Sequence, residues 1–513
     1  MKSLPWYAFM LFIVLSSGWN YAFAQDQAPT ATAAKESPRA SKVAEPVTTS
    51  HTLKIDGETL KYTATAGFLP LKDDSGKLEA NMFFVAYLKQ NGSGSANRPL
   101  TFAFNGGPGA SSIWLHLGAL GPRRVVLANN GTALPEKDKL IDNEYTWLDF
   151  TDLVFVDPVG TGYSRAAEGV NADQFYSVEG DIHSNARFIR EYITRYQRWM
   201  SPKFIAGESY GTTRAAGLSK YLQIQMGINL KGLVLLSSVL NFQTISYQGG
   251  NDLPYVLALP SLTAAAFYHK KLSTDLQADF LKTMNEVQDW AANSYFTALG
   301  KGDQLPDSER KDIVAKLAAY TGLPESYIKT SKLRISTYRF IKELLRDEDQ
   351  SLGLLDSRVK SYDISPTGEY ERFDPAMFLV TGPFVAPFNE YIRKDLKFVT
   401  PIPYKFLSMS VNEAWKWDIG GQGYLNVAER LAEAMTLNDH LKVFTGSGYF
   451  DLTTPFASQK YTYNHLGINP ELRANMTHIF YPSGHQIYTD IPSLKKLKSD
   501  VAGFYQASAA SSD

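Results

Sequence analysis

Gly207-Glu208-Ser209-Tyr210-Gly211 is the segment of this chain whose residue types are best arranged for chemistry. The pattern G-x-S-x-G mounts a serine on a sharp turn between a strand and a helix, where small neighbours let the hydroxyl rise out of a sheet. Residues 204–206 before it are apolar, and 212–226 after it are helix-forming. The N-terminus of that helix would point at negative charge developing on a substrate. A glycine-bounded turn is also a common plain connection, so the pentapeptide needs support from elsewhere in the chain.

A serine hydroxyl is a weak nucleophile and needs an imidazole to take its proton, with a carboxylate to fix the tautomer and stabilise the charged ring. The required order after such a turn is serine, acid, histidine. His465, His478 and His485 follow the late glycine-rich segment Gly446-Ser447-Gly448. Of these, His485 sits in the turn Pro482-Ser483-Gly484 after a strand-like run at 479–481, and Asp451 lies just beyond the strand-like run 441–444. His485 is therefore expected as general base and Asp451 as orienting acid, with Asp418 and Asp490 as weaker rivals for the acid. Oxyanion donors are expected from Asn105-Gly106-Gly107-Pro108-Gly109, which follows the apolar run 100–104. Gly107 N–H and Tyr210 N–H are the candidates. A phosphate cradle is the competing reading of those glycines, but no Lys-Ser/Thr follows them. Nothing in this set calls for a metal or an organic cofactor.

The elements that must position these residues are legible as short apolar runs ending in special turns, at 100–104, 153–156, 204–206 and 233–236. Such runs suit buried parallel strands. Between two of them, 181–200 repeats apolar residues at helical spacing, and a strand-helix-strand order indicates a doubly wound, mostly parallel sheet. An antiparallel entry precedes it: alternation from Thr52, an Asp56-Gly57 turn, and a second strand over 82–88. From 241 to 400 helical segments replace strand signals, for example 307–321 closed by Gly322 and 336–346, which predicts a helical insertion. The α/β pattern resumes over 401–513, with a helix face at Leu425, Ala428, Leu431, Ala432 and Met435. Residues 51–240 and 401–513 are thus expected to be the two parts of one core, with the helical insertion between them.

Composition limits the remaining possibilities. Lys2 precedes an apolar run from Trp6 to Leu15, and Ala22-Phe23-Ala24 supplies a small-x-small cleavage site, so 1–24 is expected to be a signal peptide. That run is shorter than the ~20 residues a membrane span requires. Residues 25–50 are rich in Ala, Pro, Thr, Ser, Lys and Glu without apolar periodicity, and are expected to be a disordered linker. An exported chain without a single cysteine has neither disulfides nor a lipidated N-terminus, so it must rely on a large core. A net charge of -1 with interspersed signs gives no footprint for nucleic acid or anionic membrane, which leaves small or peptidic partners. Oligomeric state is not encoded in any of these features.

Four blocks together resemble the serine carboxypeptidase family: Asn105-Gly106-Gly107-Pro108-Gly109-Ala110-Ser111-Ser112, Asp157-Pro158-Val159-Gly160-Thr161-Gly162-Tyr163-Ser164, Gly207-Glu208-Ser209-Tyr210-Gly211 and Gly484-His485. The resemblance implies an α/β-hydrolase fold with the insertion as a cap over the site, and a catalytic Ser209, Asp451 and His485. It further implies that Asn105 and Glu208 bind the terminal carboxylate of a peptide with a free C-terminus. A glutamate facing another carboxylate must share a proton with it, so binding is expected to improve as pH falls. The chain departs from the family pattern at Ala103, where a tryptophan is usual, and at Ala110, where a cysteine is usual. It also has Ala119 where an acidic residue normally precedes the Gly121-Pro122 pair. The lack of cysteines points to a bacterial member, periplasmic or secreted. The expected reaction is hydrolysis of C-terminal peptide bonds through an acyl-enzyme on Ser209. An esterase or acyltransferase using the same triad is the enzymatic alternative, and a non-catalytic binding protein that kept the fold is the other.

Overall fold

The computed structural model describes residues 45–510 apart from 56, 91–96, 128–138 and 418–422. The expected signal peptide, most of the expected linker, and Asp418 lie outside the described residues. The linker expectation ran to Ser50, but the first strand already begins at Val47, because Val47–Ser50 pair with Thr63–Ala66 of the next strand.

A ten-stranded sheet forms the centre. Nine strands carry it: β1 (Val47–Ile55), β2 (Glu58–Lys72), β3 (Leu78–Lys89), β4 (Leu100–Phe104), β5 (Asp152–Val156), β6 (Lys203–Glu208), β7 (Gly232–Leu236), β8 (Lys442–Gly448) and β9 (Met476–Tyr481). Their spatial order is β1-β2-β3-β5-β4-β6-β7-β8-β9, and a two-residue strand at Arg165–Ala166 pairs with β3. β1 to β3 form the antiparallel entry and β3 pairs antiparallel with β5, whereas every neighbouring pair from β5 through β9 is parallel. This is the α/β-hydrolase architecture expected above.

Every residue of β4, β5, β6 and β7 is buried, since helices cover both faces of the sheet. Side chains alternate between two cores with the period of a strand. Phe102, Phe104, Val154, Ile205, Leu233 and Leu235 join one core, packed on helices α1 (Val178–Arg195) and α2 (Tyr210–Met226), while Ala103, Phe155, Phe204, Val234 and Leu236 join the other.

The helix expected over 181–200 runs instead over Val178–Arg195, capped at its start by the Ser177 side chain accepting from Gly180 N. It stops because Gln197 takes a left-handed conformation at φ 54 and Arg198 N bonds back to Ile193 O at 2.7 Å. Arg198 is thereby drawn into a buried ion pair with Asp152 at 2.8 Å, and Met200, expected on the apolar face, is 80% exposed.

The helical insertion has its own core, from Val256 to Leu352, with Leu452 as its contact from the main body. It contains α3 (Leu253–Tyr268), α4 (Phe280–Trp290) and α5 (Asp307–Thr321), the last ending at left-handed Gly322 as its sequence indicates, and Phe280 of α4 also packs on Tyr449 and Phe450 of the main body. The expected boundary at 400 is too late. Helix α6 (Pro375–Lys394) lays Val380, Phe384, Phe388, Tyr391 and Ile392 into the sheet-face core rather than into the cap. No helix among the described residues is long and apolar enough to cross a membrane.

Candidate active site

Ser209 stands between the last residue of β6 and the first of α2, at φ 58 and ψ −129, with its N–H held by Leu236 O at 3.0 Å. A serine at positive φ costs about 1–3 kcal/mol, a strain that the surrounding structure must impose. The two glycines of the pentapeptide make this turn possible. A Cβ on Gly207 would lie 2.3 Å from Gly211 O, and one on Gly211 would lie 2.4 Å from Phe104 O. Strand, turn and helix therefore meet backbone to backbone.

His485 and Asp451 come from loops after β9 and β8, the strands beyond β7. Nδ1 of His485 lies 2.7 Å from Oδ2 of Asp451. The carboxylate can only accept, so Nδ1 carries the proton and Nε2 is the basic nitrogen. Oδ2 also accepts from Thr454 Oγ1 at 2.7 Å, and Oδ1 accepts from the backbone N–H groups of Thr453 and Thr454 at 2.8 and 2.9 Å. Burial of the ring opposes its protonation, but the carboxylates of Asp451, Glu208 and Asp374, with Asp451 foremost, together raise the pKa of His485 above the ordinary value. Ser237, directly after β7, joins the two halves of the site: its Oγ donates to His485 O at 2.6 Å, and its carbonyl accepts from Thr454 Oγ1 at 3.1 Å. Among the described residues no hydrogen bond links Ser209 Oγ to the imidazole. The expected acid and base are in direct contact, and Ser209 stands at the end of β6, which β7 separates from β8.

The rivals are committed elsewhere. Asp490 pairs with Arg358 at 3.2 Å, and its Oδ2 accepts from Ser493 N at 2.9 Å at the start of α7 (Ile491–Ala510). His478 lies on β9 beside Ser447, with burial holding its pKa down at about 4. His465 bonds Tyr461 O and stacks on the Tyr461 ring.

The glycine loop after β4 reaches the nucleophile turn. A Cβ on Gly106 would fall 2.5 Å from Tyr210 N and 2.9 Å from Ser209 Cβ. The expected donors on Gly107 and Tyr210 thus belong to two backbone segments in contact. Gly106→Ala is expected to push these segments apart and lower kcat by about 10²–10³-fold. Steady-state rates on an ester and on a peptide would show this as a loss common to both.

Asn105 Nδ2 donates to Glu208 Oε1 at 3.0 Å, and Asn105 Oδ1 accepts from Leu115 N at 2.9 Å. Both side chains are buried, and Glu208 Oε2 has no hydrogen-bond partner. Burial lifts the Glu208 pKa to about 7 against the opposing influence of the His485, Tyr488 and Asn105 side chains.

Several supports were not foreseen in the sequence. Arg214 on α2 forms a buried ion pair with Asp181 of α1 at 2.7 Å and donates to Asn105 O at 2.8 Å, which holds the glycine loop in place. The chain leaving the cap forms a strap over 354–358. Leu354 O accepts from Leu452 N, Ser357 N donates to Phe450 O, Leu355 O accepts from His485 N at 2.6 Å, and Arg358 donates to Pro482 O. It binds the loops of the acid and the base simultaneously. No local sequence pattern marks either device, because each joins residues more than thirty positions apart. The block starting at Asp157 is structural in this arrangement. Asp157 Oδ1 accepts from Ser112 N at 2.9 Å, and Ser164 Oγ accepts from Phe83 N at 2.7 Å, fastening the glycine loop to the sheet.

The family model described as serine carboxypeptidase matches residues 55–508. Serine carboxypeptidase-like 36 of Arabidopsis thaliana is 23% identical over 441 residues, covering 80% of this chain and 78% of that protein. Pheromone-processing carboxypeptidase KEX1 of Saccharomyces cerevisiae is 31% identical over 156 residues, or 28% of this chain and 20% of that protein. The crystal structure of a KEX1 form from Saccharomyces cerevisiae, a prohormone-processing carboxypeptidase, superposes with a TM-score of 0.52 at 17% identity, covering 87% of this chain and 91% of that one, which shows the shared fold. With the match running almost from the first strand to the end of the last helix, the chain belongs to the serine carboxypeptidase family.

Proposed function

We propose that this serine carboxypeptidase releases C-terminal residues from peptides through an acyl-enzyme on Ser209. His485 Nε2 removes the Ser209 proton as Oγ attacks the scissile carbonyl carbon, and the resulting imidazolium is stabilised by Asp451. Gly107 and Tyr210 N–H groups receive the oxyanion. The imidazolium returns its proton to the leaving nitrogen, and water then repeats the sequence to free the acyl group. One observation carries the exopeptidase assignment: the buried Asn105–Glu208 pair, with Oε2 unpartnered, lies within electrostatic reach of His485 and Asp451. A terminal carboxylate held there would place the last peptide bond at the nucleophile.

The test compares a blocked dipeptide with its C-terminal amide across the pH range around 7. Glu208 is protonated below about 7 and can donate to a carboxylate; above it, two negative charges face one another. KM for the free acid should therefore fall as pH drops through about 7, while KM for the amide shows no matching step. Glu208→Gln should flatten the free-acid profile. Equal rates on acid and amide would hand the site to an esterase or acyltransferase.

The export signal over 1–24 and the absence of cysteine support a bacterial enzyme of the periplasm or the extracellular space. The described fold supports a cap formed mainly by the 253–352 body, seated on a core built from both ends of the chain.

A further inference from the structure

Tyr488 takes no part in the steps above, yet it lies among the residues that perform them. It sits in the short helical turn Ile487–Thr489, three residues after the general base, and is only 2% exposed. Its Oη is buried without a hydrogen bond, as is Oε2 of Glu208. The two groups face one another: the phenol interacts with Glu208 at the end of β6, with Asn105 after β4, and with Gln486 on its own turn. Glu208 is faced in addition by His485 and Asp451. Two buried polar atoms in one cluster without partners are uncommon in folded proteins, and each requires an explanation. A ligand able to bond with both provides one.

The ring is held by its surroundings. A Cβ on Gly118 would come within 2.4 Å of Tyr488 Cε2, so only glycine leaves room for it, and the same position lies 3.2 Å from Phe384 Cζ. Gly118 is the neighbour of Ala119, where the family resemblance leads one to expect an acid. This chain thus lacks a carboxylate at that point and packs a phenol against the same stretch of backbone.

Building on the carboxypeptidase reading, we propose that Tyr488 is the third member of the terminal-carboxylate receptor, its hydroxyl donating to the substrate carboxylate beside the proton that Glu208 shares with it. Burial and the neighbouring Glu208 hold the phenol far above its ordinary pKa, so it remains a donor throughout the working range. An acid in this role would add a second negative charge to be neutralised before substrate could enter. A phenol adds none, so one proton on Glu208 is sufficient and acid-selective binding extends towards neutral pH.

The experiment is Tyr488→Phe, compared with wild type on the same peptide as free acid and as C-terminal amide. The acid-over-amide preference should fall about tenfold, chiefly through KM, because the lost hydrogen bond serves a charged group. The apparent pKa governing kcat/KM for the free acid should also rise, since the nearby phenol favours ionised Glu208. Equal losses on acid and amide would make Tyr488 a packing residue and overturn the proposal, as would no change. Wild type unable to distinguish acid from amide would instead overturn the carboxypeptidase reading itself. If the Phe variant does not fold, fluorine NMR of protein carrying 3-fluorotyrosine in place of Tyr488 gives the same decision. The signal should shift on adding a non-cleavable peptide acid but not its amide, and identical responses would overturn the assignment.

Discussion

Ser209→Ala is expected to lower kcat for peptide hydrolysis by about a million-fold, to the residual rate that binding and the oxyanion donors sustain without a nucleophile. The backbone reason for expecting a folded variant is specific. Alanine takes the same φ 58 conformation at similar cost, and the N–H bond to Leu236 O is unaffected. The thermal midpoint should stay near that of wild type while reaction with a serine-directed fluorophosphonate disappears. A variant that still labels with the probe, or turns over peptide at more than a trace of the wild-type rate, would remove Ser209 from the nucleophile's place.

Asp451→Asn should reduce kcat on the order of 10⁴-fold with little change in KM. Oδ1 of Asp451 accepts two backbone N–H groups, so the asparagine carbonyl oxygen is drawn to that side and its amide is turned towards His485 Nδ1. An amide donor there requires Nδ1 to be unprotonated, which places the imidazole proton on Nε2, the nitrogen that must act as base. Because the tautomer is wrong rather than the charge alone, raising the pH should not restore the rate. A pH–rate profile of the variant that recovers wild-type activity at high pH would contradict this account.

The contact between His485 and Asp451 is anticipated by local pattern, since an apolar run followed by a turn carries each of the candidates Ser209, Asp451 and His485. Choosing among the carboxylates was harder, since Asp490 and Asp451 both follow strand-like runs. Only tertiary contact shows Asp490 spent on Arg358 and on the start of α7. Apolar periodicity continues to Met200, whereas the buried pairing of Arg198 with Asp152 ends α1 earlier. The late boundary placed on the cap has a similar origin. Helix α6 is as apolar as the cap helices, and nothing in its sequence tells which core it will enter. Nothing in the sequence marks Tyr488, because a lone aromatic after a histidine has no distinctive spacing and its relation to Glu208 crosses 280 positions of chain.

The strap over 354–358 has a consequence for how such proteins can diversify. Its main-chain bonds to Leu452, Phe450 and His485 do not depend on which side chains it carries, so this stretch can drift in sequence while its path is retained. The helices upstream of it meet the main body through side chains, such as Phe280 against Tyr449 and Phe450, and can be resculpted as a unit where those contacts are matched. The return leg cannot, because a graft that altered where the chain re-enters the main body would misalign the acid and base loops together. New preferences in this lineage should therefore arise through replacement of whole helices before residue 354, with the exit route inherited unchanged.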